Sequence, residues 1–167
     1  MGKLFTVLCC LFMFTAPAQE QKKLLSPKAS STYGDVSVTY GQPSKRGRVI
    51  FGGLVPYDSV WRTGANEATE ITFKKDAVFA GKKIKAGTYT LFTIPSERQW
   101  QIILNKQLGQ WGAYEYDKYK RKNVLRVTTP VYELKDMLEK LTITVKKDSL
   151  SIEWDRTGVA VPVEILK

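Results

Sequence analysis

The 167-residue chain carries 26 Lys+Arg against 16 Asp+Glu, a formal net charge of +10, with 43% apolar residues, two Cys and no His. That length suits one domain with a single core, and the composition excludes disorder and collagen-like structure. Without His there can be no Ser-His-Asp or Cys-His machinery, no imidazole metal ligand and no His general base.

Residues 1–18 read as an export signal. Lys3 supplies a positive n-region, Leu4 to Thr15 form an apolar stretch, and Ala16-Pro17-Ala18 places small residues at the cleavage positions. The apolar stretch is shorter than the roughly 20 residues that span a bilayer. Cys9 and Cys10 lie inside it, which disfavours a lipid anchor. Cleavage after Ala18 removes Lys3 and both cysteines, so the remainder keeps all 16 acidic residues and all but one of the 26 basic ones. A domain without Cys or His cannot build a Cys/His zinc site, a thiol nucleophile or a disulfide. The expectation is an exported protein, periplasmic or extracellular, with no transmembrane segment once the signal is gone. Residues 19–31 are polar, with Pro27 near their end, and are predicted to be a flexible lead-in to a single domain over 32–167.

From there the period-2 pattern of strands dominates. Val36, Val38 and Tyr40 share one face, then Ile71 and Phe73. Residues 88–94 (TYTLFTI) are apolar on both faces, as a central strand would be. Trp100, Ile102 and Leu104 follow, then Leu141, Ile143 and Val145, then Leu150, Ile152 and Trp154, and last Val159, Val161, Val163 and Ile165. Turn residues separate these runs, among them Gly52-Gly53, Ala86-Gly87, Lys147-Asp148 and Thr157-Gly158. The pattern predicts an all-β, antiparallel β-sandwich or jelly-roll-like domain of about nine or ten short strands. At most one short helix fits, over Tyr132 to Lys140, where Leu134, Met137, Leu138 and Leu141 have near-helical spacing; an irregular connection fits equally well. The predicted core includes Phe73, Tyr89, Leu91, Phe92, Trp100, Ile102, Ile143, Ile152 and Trp154.

The most distinctive stretch is 45–75 (KRGRVIFGGLVPYDSVWRTGANEATEITFKK), followed by GKKIKAGTYTLFTIPSERQWQIILNK at 81–106 and WGAYEYD at 111–117. These segments resemble a family of exported bacterial domains of unknown function, DUF2911, over nearly the whole domain. The resemblance implies a secreted β-sandwich and supplies neither a reaction nor site residues.

Two loops carry the candidate chemistry. Trp61, Arg62, Asn66 and Glu67 place an indole, a guanidinium, an amide and a carboxylate within seven residues. Gly64 and Asn66 tolerate the left-handed backbone of a tight loop. In one reading Arg62 forks onto a carboxylate, a phosphate or sugar hydroxyls while Asn66 and Glu67 orient the ligand. In the other, Trp61 plugs the sandwich, Arg62 pairs with Glu67, and Asn66 bonds its own backbone. Trp111, Tyr114 and Tyr116 form a second loop, suited to stacking on a sugar ring or to capping the core. If the loops meet, a ligand cleft is predicted between them.

A hydrolase would need Glu67 beside Glu115 or Asp117 as a carboxylate pair. No Asp-rich calcium spacing occurs, and neither a metal nor a cofactor is expected. The lysines and arginines are scattered over most turns, with the densest run at 118–122, and no nucleic-acid motif accompanies them. The leading expectation is a non-enzymatic binding module for a small polar, anionic or glycan-like ligand, or for a protein partner. A glycan hydrolase and a purely structural envelope protein are the alternatives. No catalytic residue is assigned.

Overall fold

Residues that alternate between apolar and polar send one face of each run into a shared interior. In the computed structural model, which describes residues 26–166, these runs form nine antiparallel strands of one continuous sheet. They are β1 (Lys28–Tyr33), β2 (Val36–Gly41), β3 (Glu70–Phe73), β4 (Ala77–Phe79), β5 (Lys82–Ile84), β6 (Gly87–Pro95), β7 (Gln99–Asn105), β8 (Asn123–Val145) and β9 (Ser149–Ile165). The sheet order is β1-β2-β3-β6-β7-β8-β9-β4-β5. A four-residue helix, α1 (Tyr116–Tyr119), lies between β7 and β8. The expected export signal lies outside the described residues, as does most of the lead-in. No helix among the described residues is long and apolar enough to cross a membrane.

Two long strands give the sheet its shape. The first part of β8 pairs with β7, ending at Gln99↔Pro130, and the rest pairs with β9 from Val131↔Val159 to Val145↔Leu150. Its far end returns to the first hairpin. There Ser31 Oγ accepts from the Val145 N–H at 3.0 Å and Tyr40 Oη from the Ile143 N–H at 3.1 Å. The sheet thus folds over on itself, sandwich-like, around one main core that includes Phe73, Leu91, Trp100, Ile152 and Trp154. The architecture is all-β and antiparallel as expected, but β8 and β9 are 23 and 17 residues long where short strands were predicted.

Three local expectations change. Residues 28–31, assigned to the lead-in, are strand. The polar run KASSTY carries little apolar signal, and β1 is held by pairing with β2 through the turn at Gly34, whose φ is 56°. Tyr132 to Lys140 is neither helix nor loop. It is the bulged middle of β8, where register shifts between Glu133 and Leu138 and between Leu138 and Thr142 imitate helical leucine spacing. Thr157-Gly158 is no turn. Gly158 sits in β9 opposite Tyr132, and a Cβ there would lie 2.5 Å from the Tyr132 ring.

All nine predicted core residues are buried. The two-faced character of 88–94 has a direct cause. Tyr89 and Leu91 face the main core, whereas Phe92 faces a second small cluster with Ala68, Ile103 and Tyr116.

Candidate functional site

The loop after Trp61 is shaped by buried hydrogen bonds. Trp61 exchanges backbone hydrogen bonds with Thr93 of β6, at 2.8 and 3.0 Å. Thr63 is fully buried, with φ at 56°, a region β-branched residues rarely adopt. The threonines around it hold that conformation. Thr63 Oγ1 donates to Thr93 Oγ1 at 3.1 Å, and Thr69 Oγ1 donates to the Thr63 carbonyl at 2.9 Å. The Ala65 N–H donates to the Gly41 carbonyl at 3.1 Å, and a Cβ on Gly41 would fall 2.0 Å from the Ala65 oxygen. Only glycine fits at position 41, because the loop is laid directly on the end of β2.

The second loop docks on the first. Glu67 and Trp111 form an antiparallel bridge; the Ala68 N–H donates to the Gln110 carbonyl at 2.8 Å and the Gly112 N–H to the Asn66 carbonyl at 3.0 Å. A third segment, 43–55, closes the other side. Lys45 anchors it through its backbone N–H to the Glu139 carbonyl at 2.7 Å and through Nζ to Asp155 Oδ2 at 2.6 Å. Between these segments lies a cleft of about 500 Å³, within the range of small-ligand sites. Trp61 and Trp154 contribute to its lining, their rings stacked 6.1 Å apart at 18°. Their indole N–H groups are already used, by the carbonyls of Gly64 at 3.2 Å and Glu139 at 3.1 Å.

Three arginines, Arg46, Arg48 and Arg62, contribute to the lining of this cleft. Arg48 is oriented by its own loop, with Nε donating to the Lys45 carbonyl at 2.9 Å and a terminal nitrogen to the Ser44 carbonyl at 2.6 Å. Arg62 differs. Its Nε is buried with no hydrogen-bond partner, and its guanidinium makes no ion pair among the described residues. A buried donor left unpaired costs about 1–3 kcal/mol.

A family model, "Protein of unknown function (DUF2911)", matches residues 21–163. The chain belongs to the DUF2911 family. No curated protein and no solved structure matches it.

In this DUF2911 protein, five of the seven candidate residues line the cleft together: Trp61, Arg62, Asn66, Trp111 and Tyr114. Trp61 is buried, while Trp111 is 54% exposed and Tyr114 81% exposed. Asn66 has a left-handed backbone at φ 64°, and its Nδ2 donates to the distant Ser26 carbonyl at 2.9 Å in place of the expected bond to its own backbone. Glu67 stands outside the cleft lining. It pairs with Lys28 at 3.4 Å instead of with Arg62, and its own backbone N–H, then Lys28, holds its carboxyl below the usual 4.5. Tyr116 is not at the cleft either. Its ring packs against Phe92, centroids 5.2 Å apart, and its hydroxyl accepts from Asn123 Nδ2 at 2.8 Å, so it belongs to the second core cluster.

Neither carboxylate proposed as a partner for Glu67 lines the cleft. Glu115 pairs with Lys118 and Asp117 with Lys120, each at 3.1 Å. Among the described residues no three Asp, Glu, Cys or His side chains gather as a metal centre would need. Sequence reasoning missed Arg46, Arg48 and Trp154. The arginines were counted among scattered solvated charges and the tryptophan as core alone. The only signal for the arginines is their place in the long 45–75 stretch whose later half carries Arg62.

Proposed function

We propose that this DUF2911 protein is a non-enzymatic binding module that takes a small polar or glycan-like ligand in the cleft between the 61–67 and 111–114 segments. One observation carries the reading. Arg62 lines that cleft with its buried Nε unpaired and with no ion pair among the described residues, and the exposed residues Trp111 and Tyr114 line the same cleft. Asn66 and Arg48, by contrast, are held by backbone carbonyls of the protein. An arginine in the lining that no carboxylate holds, in a cleft that also has exposed aromatic rings, supports a ligand role. The hydrolase alternative asks for paired carboxylates at the ligand, and the cleft lining supplies none. The module acts outside the cytoplasm, released by removal of residues 1–18.

Thermal-shift screening of the exported protein against glycans and metabolites tests this. A ligand at 100 times its Kd adds about 2.7 kcal/mol of stability, a rise of several degrees for a domain of this size. That rise should vanish in Trp111→Ala or Tyr114→Ala. A broad library that stabilises neither the wild type nor the variants would overturn the reading.

A further inference from the structure

The charge arrangement says which ligands the cleft selects. Every ion pair found among the described residues uses a lysine: Lys28, Lys45, Lys75, Lys85, Lys118 and Lys120. No arginine among the described residues is paired with a carboxylate. Three acidic groups on or bound to the cleft segments are already committed. Glu67 is taken by Lys28, Asp155 by Lys45, and Glu139 Oε1 by the backbone N–H of Arg46 at 2.8 Å. Arg46, Arg48 and Arg62 therefore line one cleft with no carboxylate in its lining.

Like charges gathered without a counter-ion repel one another, and that repulsion is screened less at the partly buried Arg62 than at the exposed Arg46 and Arg48. The guanidinium is the side chain suited to such a place. It stays charged at any accessible pH, is less strongly hydrated than an ammonium, and presents parallel N–H donors that match the oxygens of sulfate, phosphate or carboxylate. Arg48 is preset by its two backbone carbonyls, and Arg62 is partly withdrawn from water at Nε. Beside them Trp111 and Tyr114 offer exposed ring faces, which suit the apolar face of a pyranose.

Resting on the binding-module reading above, we propose that the cleft selects an anionic saccharide of one or two rings, bearing at least two oxyanion groups. The arginines grip the oxyanions and the aromatic pair covers a ring. Two sources share this chemistry, sulfated glycan fragments and phosphorylated sugars.

The probes are a fully sulfated heparin-derived disaccharide, a hexose bisphosphate, the unsulfated form of the first, and cellobiose. Tryptophan fluorescence reads binding, since three of the four tryptophans line the cleft. Either charged probe, or both, should bind, and which one does identifies the source. The affinity should fall about tenfold in Arg62→Lys, which keeps the charge and loses the fork. It should fall severalfold in Arg46→Gln, at an exposed position where the fold is not at risk. It should also fall steeply with added salt. Circular dichroism confirms that each variant is folded. If cellobiose or the unsulfated disaccharide binds as tightly as the charged probes, with loss only in Tyr114→Ala, selection by charge is overturned while the binding module stands. If neither charged probe binds but the library yields a neutral ligand, the outcome is the same. If nothing binds, both readings fall.

Discussion

The segments 61–67 and 111–117 look alike in sequence, each a tryptophan followed by glycine and polar residues, yet they are built on different physics. The first is fixed from within by buried threonine hydrogen bonds and by backbone laid on Gly41, and its tryptophan is 8% exposed. The second is held at its ends, by backbone hydrogen bonds to the first loop at 110–112 and by Tyr116 at the other end. Tyr116 plugs the small cluster behind β6 and β7, while Trp111 and Tyr114 stand out over the cleft. One loop supplies a rigid floor and the unpartnered Arg62, and the other supplies accessible ring faces. A site that must hold position and still admit a ligand needs both kinds of segment.

Matched substitutions sharpen this contrast. Trp61→Ala should cost about 3–5 kcal/mol in urea unfolding, the usual range for a buried aromatic, whereas Trp111→Ala should cost less than about 1 kcal/mol and act on ligand binding alone. Equal losses from the two would break the comparison. Within the second loop, Tyr116→Phe should cost about 1 kcal/mol through the lost hydrogen bond with Asn123, and Tyr114→Phe should leave the unfolding midpoint where it is. The smallest effect concerns the link between this site and β1. Glu67 has a folded value below 4.5, so its contribution is complete above the unfolded value and is lost as pH falls through the folded one. Because the carboxylate is 46% exposed in its pair with Lys28, that contribution is about 0.2–1 kcal/mol. Stability curves of wild type and Glu67→Gln should differ near neutrality and converge below pH 4.5.

How much of this the sequence carries depends on the range of the interaction involved. Alternation made β2 and β7 legible, because burial of one face is a local, two-residue rule. β6 was legible as a short run apolar on both faces, and every predicted core residue followed from these patterns and those of β3, β8 and β9. β1 escaped because a polar hairpin arm depends on its partner strand and little on its own side chains. The middle of β8 escaped because bulges shift the alternation, placing Leu134, Leu138 and Leu141 at a false helical spacing. Of the site, the two loops and Arg62 were legible from their chemistry. That they meet was not, since contacts such as Gly112 N–H to Asn66 O join residues far apart in the chain. Nor could Tyr114 be told from Tyr116, two residues along the same segment with opposite environments. Arg46 and Arg48 read as ordinary surface charge in the sequence, and the fold places them in the same cleft lining as Arg62.

The central claim is that Arg62 waits for a ligand and does not staple the loop. Urea unfolding of wild type and Arg62→Met, each with and without the sulfated disaccharide, tests it most directly. Without the disaccharide the two midpoints should agree within about 1 kcal/mol, or favour the variant, because methionine removes a buried unpaired donor while keeping the apolar stem. With it, only the wild type should gain stability. A variant clearly destabilised in the absence of the disaccharide, together with a wild type indifferent to it, would contradict the claim.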